Sequence, residues 1–120
     1  MNQAKNVLLI DDDPDILEAV SIMLEYGGYQ VSNLSNPAEL LTMKEGLPDI
    51  ILLDILLSGI DGRNVCKHLK TNESTSKIPV ILLSASKDIE LSARHAGADD
   101  FLAKPFEMND LFDKIGKLTL

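Results

Sequence analysis

The sequence predicts an α/β domain in which helices cover both faces of a parallel sheet. Three observations predict it. Short apolar runs recur along the chain without polar alternation, as in strands buried on both faces. Between them lie stretches with apolar residues at helical spacing, opened by capping residues and closed by glycine. Strands joined through crossover helices form parallel pairs with right-handed connections.

The first run, Asn6 to Ile10, is stopped by three acids. Asp13 can cap a helix and Pro14 suits its first position; Ile16, Val20 and Leu24 then form a stripe that ends at Gly27-Gly28. A second strand follows around Tyr29 to Leu34. Asn36-Pro37 repeats the cap-then-proline signal, Leu40 and Leu41 supply an apolar face, and Gly46-Leu47-Pro48 closes that helix. Asp49 to Leu53 is the third strand. The third helix, Arg63 to Lys70, carries Val65, Cys66 and Leu69 on one face. Ile78 to Leu83 is the fourth strand, with Pro79 near its start, where a missing donor does least harm. Ser86 begins a fourth helix that ends near Gly97, Asp100 to Ala103 is a short fifth strand, and Glu107 to Lys117 places Leu111, Phe112 and Ile115 on one helical face.

Composition fits one domain over residues 1–120. The chain has 11 Lys and Arg against 19 Asp and Glu, a net charge of −8, with 45% hydrophobic residues. A chain of this size buries roughly two thirds of its unfolded surface and needs no disulfide or structural metal. Cys66 is the single cysteine and cannot pair within the chain. The acidic excess argues against direct contact with nucleic acid or an anionic membrane, which carry the same sign of charge. The first residues lack a signal-peptide core, and the apolar stretch that ends at Asp54 is far too short to span a bilayer, so a cytoplasmic location is expected.

Open parallel sheets bind ligands beyond the carboxyl ends of their strands. The residues there are Asp11, Asp12, Asp54, Ser84 and Lys104. Two carboxylates about 4 Å apart repel by about 4 kcal/mol at an effective dielectric near 20, so such a cluster holds a proton or binds a cation. Oxygen ligands without His or Cys favour Mg²⁺ over zinc or copper. A hydroxyl, an ammonium and a metal converging on one point suit a phosphoryl group, whose transfer needs charge neutralisation and an in-line nucleophile. The best nucleophile is Asp54, which would form an aspartyl phosphate. Asp13 reads as a helix cap alone.

The segments VLLIDDDPDI, DIILLDILLSGIDG, IPVILLSAS and GADDFLAKPF together resemble the receiver domain of two-component response regulators, in family order and spacing over nearly the whole chain. The resemblance implies a flavodoxin-like (βα)5 three-layer sandwich with strand order 2-1-3-4-5. It implies that Asp54 is the phosphoacceptor, that Asp12 binds Mg²⁺ directly, that Asp11 acts on the metal largely through water, and that the carbonyl of Leu56 completes the ligands. Lys104 and Ser84 would each hold a phosphoryl oxygen, and Lys104-Pro105 would be a cis peptide. Phe101 stands at the family's switch aromatic, moving with Ser84; plain core packing is an equal reading of that residue. The phosphoryl donor would be a histidine kinase or histidine phosphotransfer protein.

Leu57-Ser58 stands where the family often has Met-Pro. Without proline the loop loses a fixed φ, which loosens the aim of the Leu56 carbonyl. In the family, dephosphorylation also depends on the positions held here by Leu56 and Ser86; a leucine cannot orient an attacking water, so a long-lived phosphorylated state is expected. His68 and His95 lie on separate helices without a second metal-spaced ligand and read as surface or interfacial side chains. Cys66 reads as a small buried residue, and Met23, Met43 and Met108 as helix packing.

Three rival readings compete with this one. A phosphatase of the haloacid dehalogenase type finds an Asp-x-Asp in Asp11–Asp13, but there is no cap insertion and Asp99-Asp100 precede the last strand. A flavodoxin-like nucleotide binder would present three acids to a phosphate. A degenerate receiver acting only as an interaction module is the runner-up, and the full set of Asp11, Asp12, Asp54, Ser84 and Lys104 speaks against it. The expected role is thus a switch rather than an enzyme, with output through the fourth helix, fifth strand and fifth helix to an unknown partner protein. No DNA-binding or catalytic pattern follows Lys117, so that partner is a separate protein or another part of a longer chain. Monomer and phosphorylation-dependent dimer are both open.

Overall fold

The computed structural model describes residues 4–119 except 35, 44, 58 and 87, and the side chain of Leu41. The expectations placed on Ser58 and on the packing of Leu41 lie outside the described residues. In chain order the elements are β1 (Asn6–Ile10), α1 (Pro14–Tyr26), β2 (Gln30–Leu34), α2 (Ala38–Thr42), β3 (Ile50–Asp54), β4 (Leu56–Leu57), β5 (Ile60–Asp61), α3 (Gly62–Thr71), β6 (Val80–Ser84), α4 (Glu90–His95), β7 (Asp100–Ala103) and α5 (Met108–Leu118).

Five strands pair in parallel in the order β2-β1-β3-β6-β7. Counted along the main sheet, this is the expected 2-1-3-4-5. Side chains alternate between the faces of each strand, and that alternation builds two cores. Leu8, Ile10, Ile51, Leu53, Val80 and Leu82 meet Leu40, Val65, Leu69 and Ala93 on the side of α2, α3 and α4. Val7, Leu9, Ile50, Leu52, Ile81 and Leu83 meet Val20, Leu24, Leu111 and Ile115 on the side of α1 and α5. All five residues of β3 and of β6 are buried, which explains their unbroken apolar sequence. The edge strand β2 is polar at Gln30, Ser32 and Asn33, where its outer side has no partner in the sheet.

Most boundaries follow the local chemistry. Asp13 caps α1 by accepting from the Asp15 N–H, with Pro14 in the first turn. Gly28 leaves the helix at φ +88°, a conformation that favours glycine. Pro79 lies just ahead of β6, where its carbonyl still accepts from the Ile51 N–H.

Four expectations need correction. The fourth helix begins at Glu90 rather than Ser86, because Ser84 Oγ accepts from the Ser86 N–H and Ser86 Oγ from the Asp88 N–H; those side-chain turns compete with helix. Asn36 does accept from the Ala38 N–H, yet Pro37 is the cap residue and α2 has only five residues. Strand two starts at Gln30, since the Tyr29 N–H still bonds to the end of α1 at Leu24. Finally, the segment after Asp54 forms a small antiparallel hairpin, β4 with β5, where a plain loop was expected.

Candidate functional site

The chain reverses its direction of growth between β1 and β3. From β1 it passes to α1 on one face, and from β3 to α3 on the other, which opens a crevice at the carboxyl ends of these strands. Register places the site residues there. Ile10 is opposite Leu53, so Asp11 and Asp54 are the next residues of adjacent strands. Asp54 is opposite Leu83, and Ser84 opposite Ala103, so Ser84 and Lys104 complete the row.

Asp11 is fully buried, Asp54 and Ser84 are nearly so, and Asp12 is more exposed. Carboxylate oxygens of Asp11, Asp12 and Asp54 lie within 4.8 Å of one another. Lys104 Nζ bridges two of these acids, 3.0 Å from Asp11 Oδ2 and 3.1 Å from Asp54 Oδ1. The other Asp11 oxygen accepts from the Asp13 N–H at 3.0 Å. Burial raises the Asp54 carboxyl above the usual carboxylate range; hydrogen bonding and charge from Lys104 oppose that rise, and Asp11 adds to it. Burial pulls the Lys104 ammonium down, but its bonds to Asp11 and Asp54 outweigh burial and hold it above the ordinary lysine value.

The donor set fits a hard divalent cation. Oxygens of three carboxylates gather within reach of one ion, two of the three share the Lys104 ammonium, and no His or Cys belongs to the cluster. The backbone of Leu56 stands beside Asp54 and donates its N–H to that carboxylate, while the Leu56 side chain is 72% exposed. Ser84 Oγ accepts from the Ser86 N–H at 3.0 Å, which leaves its own proton for a ligand oxygen. The Lys104–Pro105 bond is cis.

Phe101 does not reach this row. Its ring is half-buried against the α3 and α4 core, with Lys114 Nζ 5.9 Å from its centroid. Beside it lies a hollow of about 180 Å³, lined in part by Ala93, Arg94 and Ala98. His68 and His95 are both exposed, and Cys66 is fully buried, its thiol pushed up to about 11 chiefly by desolvation.

Gly62 was missed from the sequence. Its N–H donates to the Ile55 carbonyl at 2.7 Å, and a Cβ there would run into the Asp54 carbonyl oxygen. Only glycine lets α3 begin this close to the site. The signal was present in Asp61-Gly62, a capping residue followed by glycine, and Asp61 does accept from the Arg63 N–H.

Comparison with known proteins gives a consistent result. A family model described as the response regulator receiver domain matches residues 7–116. The DNA-binding dual master transcriptional regulator RpaA of Synechocystis sp. is 38% identical over 115 residues, an alignment that takes in 93% of this chain and 48% of that protein. The chain spans about half the length of this and the next curated relatives it matches, or less. A crystal structure of a response regulator from Chloroflexus aurantiacus superposes with a TM-score of 0.90 at 31% identity, covering 98% of both chains. The receiver domain of a sensor histidine kinase from Pseudomonas aeruginosa, with a magnesium ion coordinated in its active-site cleft, superposes with a TM-score of 0.85 at 26% identity, again over 98% of both chains.

Proposed function

The chain belongs to the response regulator receiver domain family, and from that premise we propose that Asp54 accepts a phosphoryl group from the phosphohistidine of a histidine kinase or phosphotransfer protein. One observation carries the reading: the buried carboxylates ending β1 and β3 converge on the single ammonium of Lys104, with the Ser84 hydroxyl at the next strand end. A merely structural ion pair has no use for the second carboxylate. That arrangement also favours a working phosphoacceptor over a degenerate interaction module.

In the transfer, a carboxylate oxygen of Asp54 forms the new O–P bond as the P–N bond to the imidazole breaks. The imidazole nitrogen keeps the electron pair. Lys104 pairs with a phosphoryl oxygen, and Ser84 donates its hydroxyl proton in a hydrogen bond to another. Asp11, Asp12, Asp54 and the Leu56 carbonyl would hold Mg²⁺, which supplies positive charge to the phosphoryl oxygens when bound.

The turns from Ser84 through Ser86 to Asp88 connect the site to α4, so movement of Ser84 is felt at the surface of α4, β7 and α5. The hollow beside Phe101 gives its ring room to respond. A partner protein reads that surface, or two phosphorylated copies associate through α4 and α5. Residues 1–120 act as one switching domain rather than as an enzyme, in the cytoplasm; among the described residues no helix is long and apolar enough to cross a membrane.

Intact mass after incubation with a small-molecule phosphodonor and Mg²⁺ tests the reading. One added phosphoryl group, absent from Asp54→Ala and from a metal-free control, is the expected result. No gain under conditions that label an ordinary receiver would move the assignment to the interaction-only reading. The exposed Leu56 offers no hydrogen bond to a hydrolytic water, so Leu56→Asn is expected to shorten the phosphoryl lifetime; an unchanged lifetime would sink that part.

A further inference from the structure

The loop after Asp54 lacks the proline common in the family, yet the chain ties it down by other means. Strands β4 and β5 pair with Leu56 opposite Asp61 and Leu57 opposite Ile60, and Gly59 turns between them at φ +71°. The Gly62 N–H donates to the Ile55 carbonyl at 2.7 Å, one residue before Leu56. Bonded and unbonded positions alternate along an antiparallel pair, so Leu56 and Asp61 face each other without exchanging backbone bonds. Both polar backbone groups of Leu56 therefore turn away from β5. Its N–H indeed donates to the Asp54 carboxylate, and the carbonyl of the same strand residue lies on that side too.

We propose that Asp61 and Arg63 are positioning residues for the metal site, which hold the Leu56 carbonyl on the side of the acidic cluster. They act through the hairpin and not on the ion. The Leu56 side chain is 72% exposed, so packing does not orient this residue and its pairing with Asp61 does. Asp61 is itself clamped. Its Oδ1 accepts from the Arg63 N–H at 2.9 Å and from Arg63 Nε at 3.0 Å, and its Oδ2 accepts from Arg63 Nη2 at 2.7 Å. Two parallel bonds from one guanidinium fix orientation as well as distance. On either side the hairpin is anchored by the Gly62 bond to Ile55 and by Leu57, which is buried in the same core as Val65. A backbone ligand held in place before the ion arrives loses less freedom on binding. This role presupposes Leu56 as a Mg²⁺ ligand, as proposed above.

The test is a Mg²⁺ titration of the isotopically labelled, unphosphorylated chain, read from the amide shifts of Asp54 and Leu56. Asp61→Ala removes both cap and clamp and should weaken Mg²⁺ affinity by about tenfold. Asp61→Asn loses the same charge but keeps a capping oxygen, so it should recover most of that loss. Arg63→Ala should weaken affinity by about threefold, although removing a cation by itself favours the binding of another. That side chain is partly exposed, so this variant keeps the question open to refutation should Asp61→Ala fold poorly. Faster hydrogen exchange at the Gly62 amide should accompany each loss of affinity. Equal binding by Asp61→Ala and Asp61→Asn, or Arg63→Ala binding as tightly as the parent or more tightly, would overturn the positioning role alone. A parent with no saturable response to Mg²⁺ would overturn the metal site itself, and the positioning role with it.

Discussion

The two ends of the sheet use the same residues in opposite ways. At the amino ends of the strands, Asp99 Oδ2 accepts from Lys70 Nζ at 2.7 Å and from the Val80 N–H at 2.8 Å, and Asp49 Oδ2 accepts from the Asn6 N–H at 2.7 Å. Each of these carboxylates supplies an acceptor that a strand's first N–H would otherwise lack. At the carboxyl ends, Asp11 and Asp54 share one lysine, with Asp12 close by. At one edge each acid accepts from the first N–H of a strand, and at the other two buried acids converge on one lysine. Aspartate content therefore says little about function; which donors the acids share at a strand end says much more.

The largest expected effect comes from removing the shared donor. Lys104→Ala leaves Asp11 and Asp54 buried and facing each other, and breaking such a buried charge contact costs about 3 kcal/mol. Urea denaturation without divalent cations measures it, and millimolar Mg²⁺ should restore part of the loss through binding to the folded state. A variant as stable as the parent would mean that the carboxylates were not held by Lys104. Next in size is Asp99→Ala at the opposite edge, which strips the acceptor from Lys70 and Val80 and should destabilise by about 2 kcal/mol. Phosphoryl uptake should survive that change, and Mg²⁺ should raise parent and variant alike, leaving the difference between them unchanged.

Much of this contrast was legible in the sequence. Runs such as Ile50–Leu53 and Val80–Leu83 identify central strands because burial on both faces removes any polar alternation. The acids and lysine that stop those runs mark the carboxyl edge. The amino edge was not legible, since the partner of Asp99 is Lys70 on another element, a pairing set by tertiary packing. The same limit hid the β4–β5 hairpin, whose two-residue strands carry no periodic signal. It also hid the late start of α4, where Ser84 and Ser86 each turn back on the chain. Gly62 stood in plain view, yet its necessity arises only from the approach of α3 to Asp54.

Cys66 offers a smaller probe from the buried side of α3. Its thiol is pushed up to about 11 by burial, with Lys70 lowering it and Asp99 raising it. A thiol whose folded pKa exceeds its unfolded value near 9.0 contributes stability that is fully present below that pH and lost as pH rises toward 11. By pH 10 the loss should reach about 1 kcal/mol, and Cys66→Ala should lack that component of the slope. Identical slopes in the two proteins between pH 9 and 11 would show that the thiol is less buried than its packing implies.

The smallest expected change has the opposite sign, and it separates the two edges most sharply. Asp54 is held at a cost, because burial and the neighbouring Asp11 disfavour its charge more than Lys104 favours it. Asp54→Asn keeps the shape, removes one of two negative charges facing Lys104, and leaves Asp11 paired. At neutral pH without divalent cations it should be as stable as the parent or more stable by about 0.5 kcal/mol. Adding Mg²⁺ should reverse the order, since the parent retains all three carboxylates and gains more from binding. An Asp54→Asn protein clearly less stable than the parent in the absence of metal would place Asp54 in the same class as Asp99, a carboxylate kept for the fold. A crossing of the two stability curves as Mg²⁺ is added would instead mark it as a group whose charge is maintained for a ligand.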